Sequence, residues 1–165
     1  MNARNPISLV RAFKRFLDEI PDAGDHSQLL FLGKESKYTE EFRMVKQELP
    51  QFYSSDSYIP FQTVLAIQKE AAVNVILEAK GAISPFLPGK FPHCIQAEKP
   101  IFLLGSYYSE CRRLLGKEYP WWSEIDDEER ILGHLHKLYS IWKTEEGDAK
   151  IDYQSLKQTL YYFYH

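Results

Sequence analysis

An α/β fold, a Rossmann-like doubly wound parallel sheet, is the architecture this sequence predicts, on three observations. Short apolar runs alternate along the chain with longer stretches whose apolar residues recur at spacings of three and four. That alternation is the mark of βαβ units, whose right-handed crossovers wind helices over both faces of a parallel sheet. The third observation is size: 165 residues, 44% hydrophobic and 26% charged, suit one domain spanning residues 1–165.

Each element has its own local reason. Asn5 caps and Pro6 opens a first helix, with Val10, Phe13, Leu17 and Ile20 on one stripe and Pro21 and Gly24 as its stop. Gln28–Leu32, closed by Gly33, reads as a strand buried on both faces. A polar helix follows, carrying Phe42, Val45 and Leu49 and stopped by Pro50, and Gln51–Ser54 is a short strand. Pro60 starts a helix with Phe61, Val64, Ile67 and Ala71 on its stripe. The run Ala72–Leu77 is β-rich, a short helix spans about Gly89 to Glu98, and Pro100–Leu104 is a strand ending at Gly105. Ser109–Leu115 is helical, Tyr119–Trp122 fits an edge strand because Pro120 is tolerated there, and Asp126–Lys143 is the longest helix. The tail from Asp152 to His165 is helical by pattern. The chain opens on a helix, whereas a doubly wound domain normally opens on a strand. The first strand is therefore expected to be missing or supplied by another segment.

Composition excludes several classes of function. Twenty Lys and Arg against 23 Asp and Glu give a net charge of −3, which offers no general basic field for nucleic acid or an anionic membrane. No apolar run approaches the ~20 residues of a bilayer span, and the N-terminus carries no signal-peptide core. Cys94 and Cys111 have neither disulfide-framework nor metal-ligand spacing and fit free thiols in the cytoplasm. The unusual feature is aromatic content: 11 Tyr, 10 Phe and 3 Trp predict a large aromatic core or an aromatic surface that a partner covers.

In a doubly wound sheet, ligands bind beyond the carboxyl ends of the strands, at the switch in strand order. The loops to inspect are Gly33–Lys37, Ser55–Phe61, Glu78–Lys90 and Gly105–Ser109. Within the third, Ile83–His93 joins a strand to a short helix, with Gly89 and Lys90 at that helix's start, where backbone N–H groups favour an anion. An exposed lysine at a Pro-Gly turn is the competing explanation of Lys90. His93 falls one helical turn later and could face the same pocket. His134 and His136 are two apart, so a helix points them to different faces and they make no metal pair. The acids Glu124, Asp126, Asp127, Glu128 and Glu129 complement a helix dipole at its start. Tyr119, Trp121 and Trp122 fit strand packing better than a sugar-stacking platform. No nucleophile–base set is visible around Ser84, Ser106 or Ser109. No catalytic residue, metal ligand or cofactor is assigned.

The order and wording of these segments resembles the C-terminal, donor-binding half of GT-B glycosyltransferases, especially the group 1, family 4-like enzymes, over residues 5 to about 145. Asn5-Pro6 with Leu9-Val10-Arg11-Ala12-Phe13 looks like the first helix of that half, and Leu30-Phe31-Leu32-Gly33 like the strand and glycine after it. Ile59-Pro60-Phe61, with Leu65 through Val75, resembles the region leading into the next strand. The closest likeness runs from Pro85 to Ile101, where a loop, a helix and Lys99-Pro100-Ile101 resemble the signature around the sugar nucleotide. The chain departs from the common pattern at two positions: aligned on Lys99-Pro100, Pro85 and His93 stand where the family has glutamates.

The resemblance implies one half of a GT-B fold that binds a nucleotide-diphospho-sugar, with uridine or guanosine diphosphate as carrier. The reaction implied is hexosyl transfer to a hydroxyl acceptor in surface-polysaccharide synthesis. By resemblance, Gly89 and Lys90 take the diphosphate, His93 the ribose or sugar, and Tyr58 and Ile59 the base, with Ser84, Pro85, Phe86, Leu87 and Gly33 lining the donor site. The acceptor-binding N-terminal half would be a separate partner, so this chain alone is expected to be inactive. The tail at about 152–165, with aromatic and leucine residues on more than one face, fits packing on that half, a homodimer, or burial within its own domain. The alternative function is a non-catalytic nucleotide-binding or interaction domain of Rossmann or flavodoxin-like topology.

Overall fold

The computed structural model describes residues 4–34 and 37–144. Helix α1 (Ile7–Glu19) opens where Asn5 Oδ1 accepts the Ile7 N–H at 2.9 Å, and a 3-10 turn follows at Pro21–Asp25. Strand β1 (Leu29–Phe31), α2 (Thr39–Glu48), β2 (Phe52–Ser54), α3 (Phe61–Glu70) and β3 (Asn74–Leu77) come next. Then follow β4 (Ile83–Ser84), α4 (Phe91–Gln96), β5 (Ile101–Leu104), β6 (Tyr108–Ser109), α5 (Glu110–Leu115), β7 (Trp122–Ser123) and α6 (Glu128–Thr144). The fold is mixed α/β with alternating helices and strands, and every described strand pair is parallel.

Strand β5 shows why helices cover both faces. All four of its residues are buried, and alternate side chains enter opposite clusters. Phe102 and Leu104 pack with α1 and α6 through Leu9, Phe13, Phe16, Ile131 and Leu138. Ile101 and Leu103 pack with Phe91, Cys94 and Ile95 of α4 and Cys111 of α5. Burying a large apolar side chain is worth about 1.5–3 kcal/mol. The exposed ion pairs from Arg15 of α1 to Glu128 and Glu129 of α6, at 3.1 and 2.5 Å, belong to a class worth little by comparison. Apolar burial therefore holds α1 on α6.

The strands form three small sheets instead of one continuous sheet: β1–β2, β3–β5–β7 and β4–β6. Strand β1 also differs from the expectation of burial on both faces. Leu29 and Phe31 turn to the core, but Leu30 is 40% exposed opposite Tyr53 at 50%, on a side of β1–β2 that no helix among the described residues buries. Helix α3, which follows β2, has no fully buried residue. The edge strand expected at Tyr119–Trp122 lies at Trp122–Ser123. Trp121 and Trp122 are core residues, and Tyr119 binds the backbone of Ile101 through its hydroxyl, which excludes a stacking platform there. The expected helix at 152–165 lies outside the described residues.

Candidate functional site

The four loops that follow the strands meet in pairs. Gly33, at φ +118° after β1, donates its N–H to Ser55 Oγ at 2.8 Å, which ties the loop after β1 to the loop after β2. The loop after β3 is tied to the loop after β5 by pairing of β4 with β6, with Ser84 opposite Ser109. Phe61, at the start of α3, meets the His93 ring edge-on, with centroids 5.0 Å apart, which brings the Ser55–Phe61 loop to α4.

A buried carboxylate organises the second pair. Glu78 directly follows β3 and is 2% exposed. Its Oε2 accepts the Ser106 N–H at 3.1 Å, and its Oε1 accepts the Ser109 hydroxyl at 2.7 Å. Ser109 Oγ in turn accepts the Arg112 N–H and caps α5. Gly105 is required beside it, because a Cβ there would run into the Glu78 carboxylate. Burial pushes the neighbouring Cys111 thiol up, and the Glu78 carboxylate adds to that rise. Sequence reasoning did not single out Glu78. The available signal was an acid placed directly after an apolar strand, at the ligand end of a parallel sheet.

Lys90 precedes α4 at its N-cap and is half-buried. It makes no hydrogen bond or ion pair with a carboxylate among the described residues. Burial pushes its ammonium below the ordinary lysine value, and the Arg4 guanidinium pushes it the same way. Helix α4 has only six residues, so the positive character at this point rests mainly on the Lys90 side chain. His93 lies one turn along α4. Its Nδ1 is buried without a hydrogen-bond partner among the described residues.

The remaining expected residues are spread over this edge. Leu87 packs on the α4 and α5 cluster, as a structural anchor of its loop. Pro85 and Gly89 are exposed, Phe86 is 82% exposed and Tyr58 80%, while Ile59 and Ser84 are half-buried. Together with Phe61, Ile83, Tyr107 and Tyr108, these residues make an aromatic and apolar rim along the strand ends. Gly33 stands apart, on the β1–β2 side, with its N–H already used by Ser55.

Other titratable residues have structural explanations. His134 is buried, donates Nε2–H to the Trp122 carbonyl at 2.9 Å, and lies edge-on to Phe102 and Trp121. Asp126 pairs with Lys80 at 2.5 Å, and Asp127 Oδ1 accepts the Arg130 N–H at the start of α6. Among the described residues, no group of three or more His, Cys, Asp or Glu side chains could hold a metal, and no helix is long and apolar enough to cross a membrane. No family model and no curated protein sequence matches the chain.

Proposed function

We propose that this chain is the nucleotide-sugar donor-binding domain of a glycosyltransferase of the GT-B type. The observation that carries the proposal is Lys90: a half-buried ammonium, without a carboxylate partner among the described residues and within the field of the like-charged Arg4, at the carboxyl end of the parallel strands. A cation held in that state gains most from a ligand that brings its own negative charge, such as a diphosphate. The exposed rings of Tyr58, Phe61 and Phe86 offer surfaces on which a base or sugar can stack. Within this reading Lys90 and Arg4 neutralise the diphosphate, His93 Nε2 meets the ribose or sugar, and Glu78 keeps the Gly105–Ser109 loop in shape. Leaving-group charge is then stabilised by groups already in place, and the acceptor and its base come from another half.

A thermal-shift titration with uridine and guanosine diphosphates, their sugar conjugates and the bare nucleosides tests the reading, since a ligand of the native state raises Tm. Diphosphates are expected to raise Tm at millimolar concentration. Lys90→Ala should weaken them roughly 10–100-fold, the range for a lost charged hydrogen bond, and leave nucleosides nearly unchanged. No shift with any nucleotide, or equal loss for nucleoside and diphosphate, overturns it.

A further inference from the structure

We propose that the space between β1 and β3 is a slot for one further parallel β-strand, filled by an apolar extended segment joined to the polypeptide directly ahead of α1. The inference does not rest on the donor-binding reading. It begins with backbone parity. The Leu29 N–H donates to the Gln51 carbonyl at 2.9 Å, and the Phe31 carbonyl accepts the Ser55 N–H at 3.0 Å. Leu29 and Phe31 therefore address β2, and the backbone groups of Leu30 address the opposite edge. On β3, the Asn74 N–H donates to Pro100 and the Glu78 N–H to Leu104, at 3.0 and 2.8 Å. The alternate residues Val75 and Leu77 present their N–H and C=O groups away from β5. Among the described residues, no pairing joins β1 to β3 and no strand lies between them.

These two edges belong to one interior. Leu29, Phe31, Val75 and Leu77 all pack on the apolar cluster beneath α1 and α6. Their carboxyl ends also open on one place: Lys37 and Tyr38 beyond β1, Lys80 beyond β3, and Asn5 and Ser8 at the start of α1 line a single cleft of about 390 Å³. A strand running through the slot parallel to its neighbours would emerge in that cleft, where α1 begins. Helix α1 then leads back to β1, which completes a strand–helix–strand unit with adjacent parallel strands. The resulting order, β2-β1-slot-β3-β5-β7, places the reversal of strand order at the slot, as in two-half doubly wound sheets. The position of Asn5 and Ser8 favours this occupant over a second copy of the chain or the segment 145–165, neither of which need end at α1.

Amide hydrogen exchange on the full 165-residue chain tests the slot. The amides of Leu30, Val75 and Leu77 should exchange roughly tenfold or more faster than those of Phe31 and Ile76, which are paired. The probe is an N-terminal extension, Val-Ile-Val-Val, joined ahead of Met1 through zero, two or four Gly residues, with a Gly-Ser extension of equal length as control. At least one apolar extension should protect all three amides and raise Tm, and the control should do neither. The proposal is overturned if the three amides are already protected in the dilute unextended chain. It is equally overturned if none of the three linker lengths protects them. Protection that grows with protein concentration would assign the slot to a second copy, and protection lost on deleting 145–165 would assign it to that segment. Both results sink the proposed occupant.

Discussion

On the proposed function, Lys90 sits where stability and binding pull in opposite directions. Its folded-state pKa lies below its unfolded value, so between the two the unfolded chain holds more protons. Stability of the ligand-free protein should therefore rise with pH from the depressed value up to the ordinary lysine value of about 10.4. Lys90→Met should flatten that rise, raise Tm at pH 7, and abolish the extra Tm gained with a nucleoside diphosphate. A Tm lower than wild type in the ligand-free variant would show that Lys90 is a structural residue instead. Gly105 tests the carboxylate beside it. Gly105→Ala drives a methyl into Glu78, and overpacking of this kind costs about 1–3 kcal/mol. Denaturant unfolding should show that loss, and an unchanged midpoint would mean the Glu78 loop yields freely. The type and loop of Lys90 were legible in the Pro88-Gly89-Lys90 turn. Its burial was not, because burial depends on how the segments around α4 pack.

Among the elements, those with a strong period were the most readable. Helices α1 and α6 follow their stripes because a 3.6-residue repeat of large apolar side chains has one stable outcome against a sheet. The two-residue strands β4 and β6 escaped notice, since Ile83-Ser84 and Tyr108-Ser109 carry no pattern and exist only through each other. Within α6, His134 was expected to be separated from His136 in direction, and its burial adds a consequence. Burial pushes its pKa down, with the Trp122 carbonyl working the other way. Below the unfolded value of about 6.5 the unfolded chain binds a proton that the native state resists. Stability should then fall as pH drops from about 6.5 toward the folded value, by at most about 1.4 kcal/mol per pH unit for one proton. Urea unfolding from pH 7.5 to 5 should show this slope, and His134→Gln should reduce it. An identical slope in the variant would trace the loss to other groups.

At the scale of the molecule, the proposed function makes this chain a donor domain, which by itself would lack an acceptor site and a general base. Transfer requires donor, acceptor and catalytic groups to be held together in the transition state. The 165-residue chain should bind a nucleotide diphosphate yet give no acceptor-dependent release of it from a nucleotide sugar. Sustained transfer by the chain alone, measured as nucleotide released per mole of protein, would refute the half-enzyme reading. The exposed rings at Tyr58, Phe86, Tyr107 and Tyr108 agree with the aromatic composition, which demanded either a large core or a surface awaiting cover. Both occur: Phe31, Phe42 and Phe52 form an aromatic knot under α2 while the rim stays open.

The sequence alone determined the α/β class and the order of the main helices and strands. Those properties follow from short-range periodicity and from Pro, Gly and Asn punctuation, which act through neighbouring residues. The tertiary structure decided what depends on distant partners. It split the sheet between β1 and β3, since pairing needs a strand at both edges. It buried Trp121 and Trp122, and it set Glu78 against Ser106 and Ser109 across 28 and 31 residues of chain. It also left Lys90 half-buried without a carboxylate partner among the described residues, because which charges meet is settled by packing and not by spacing.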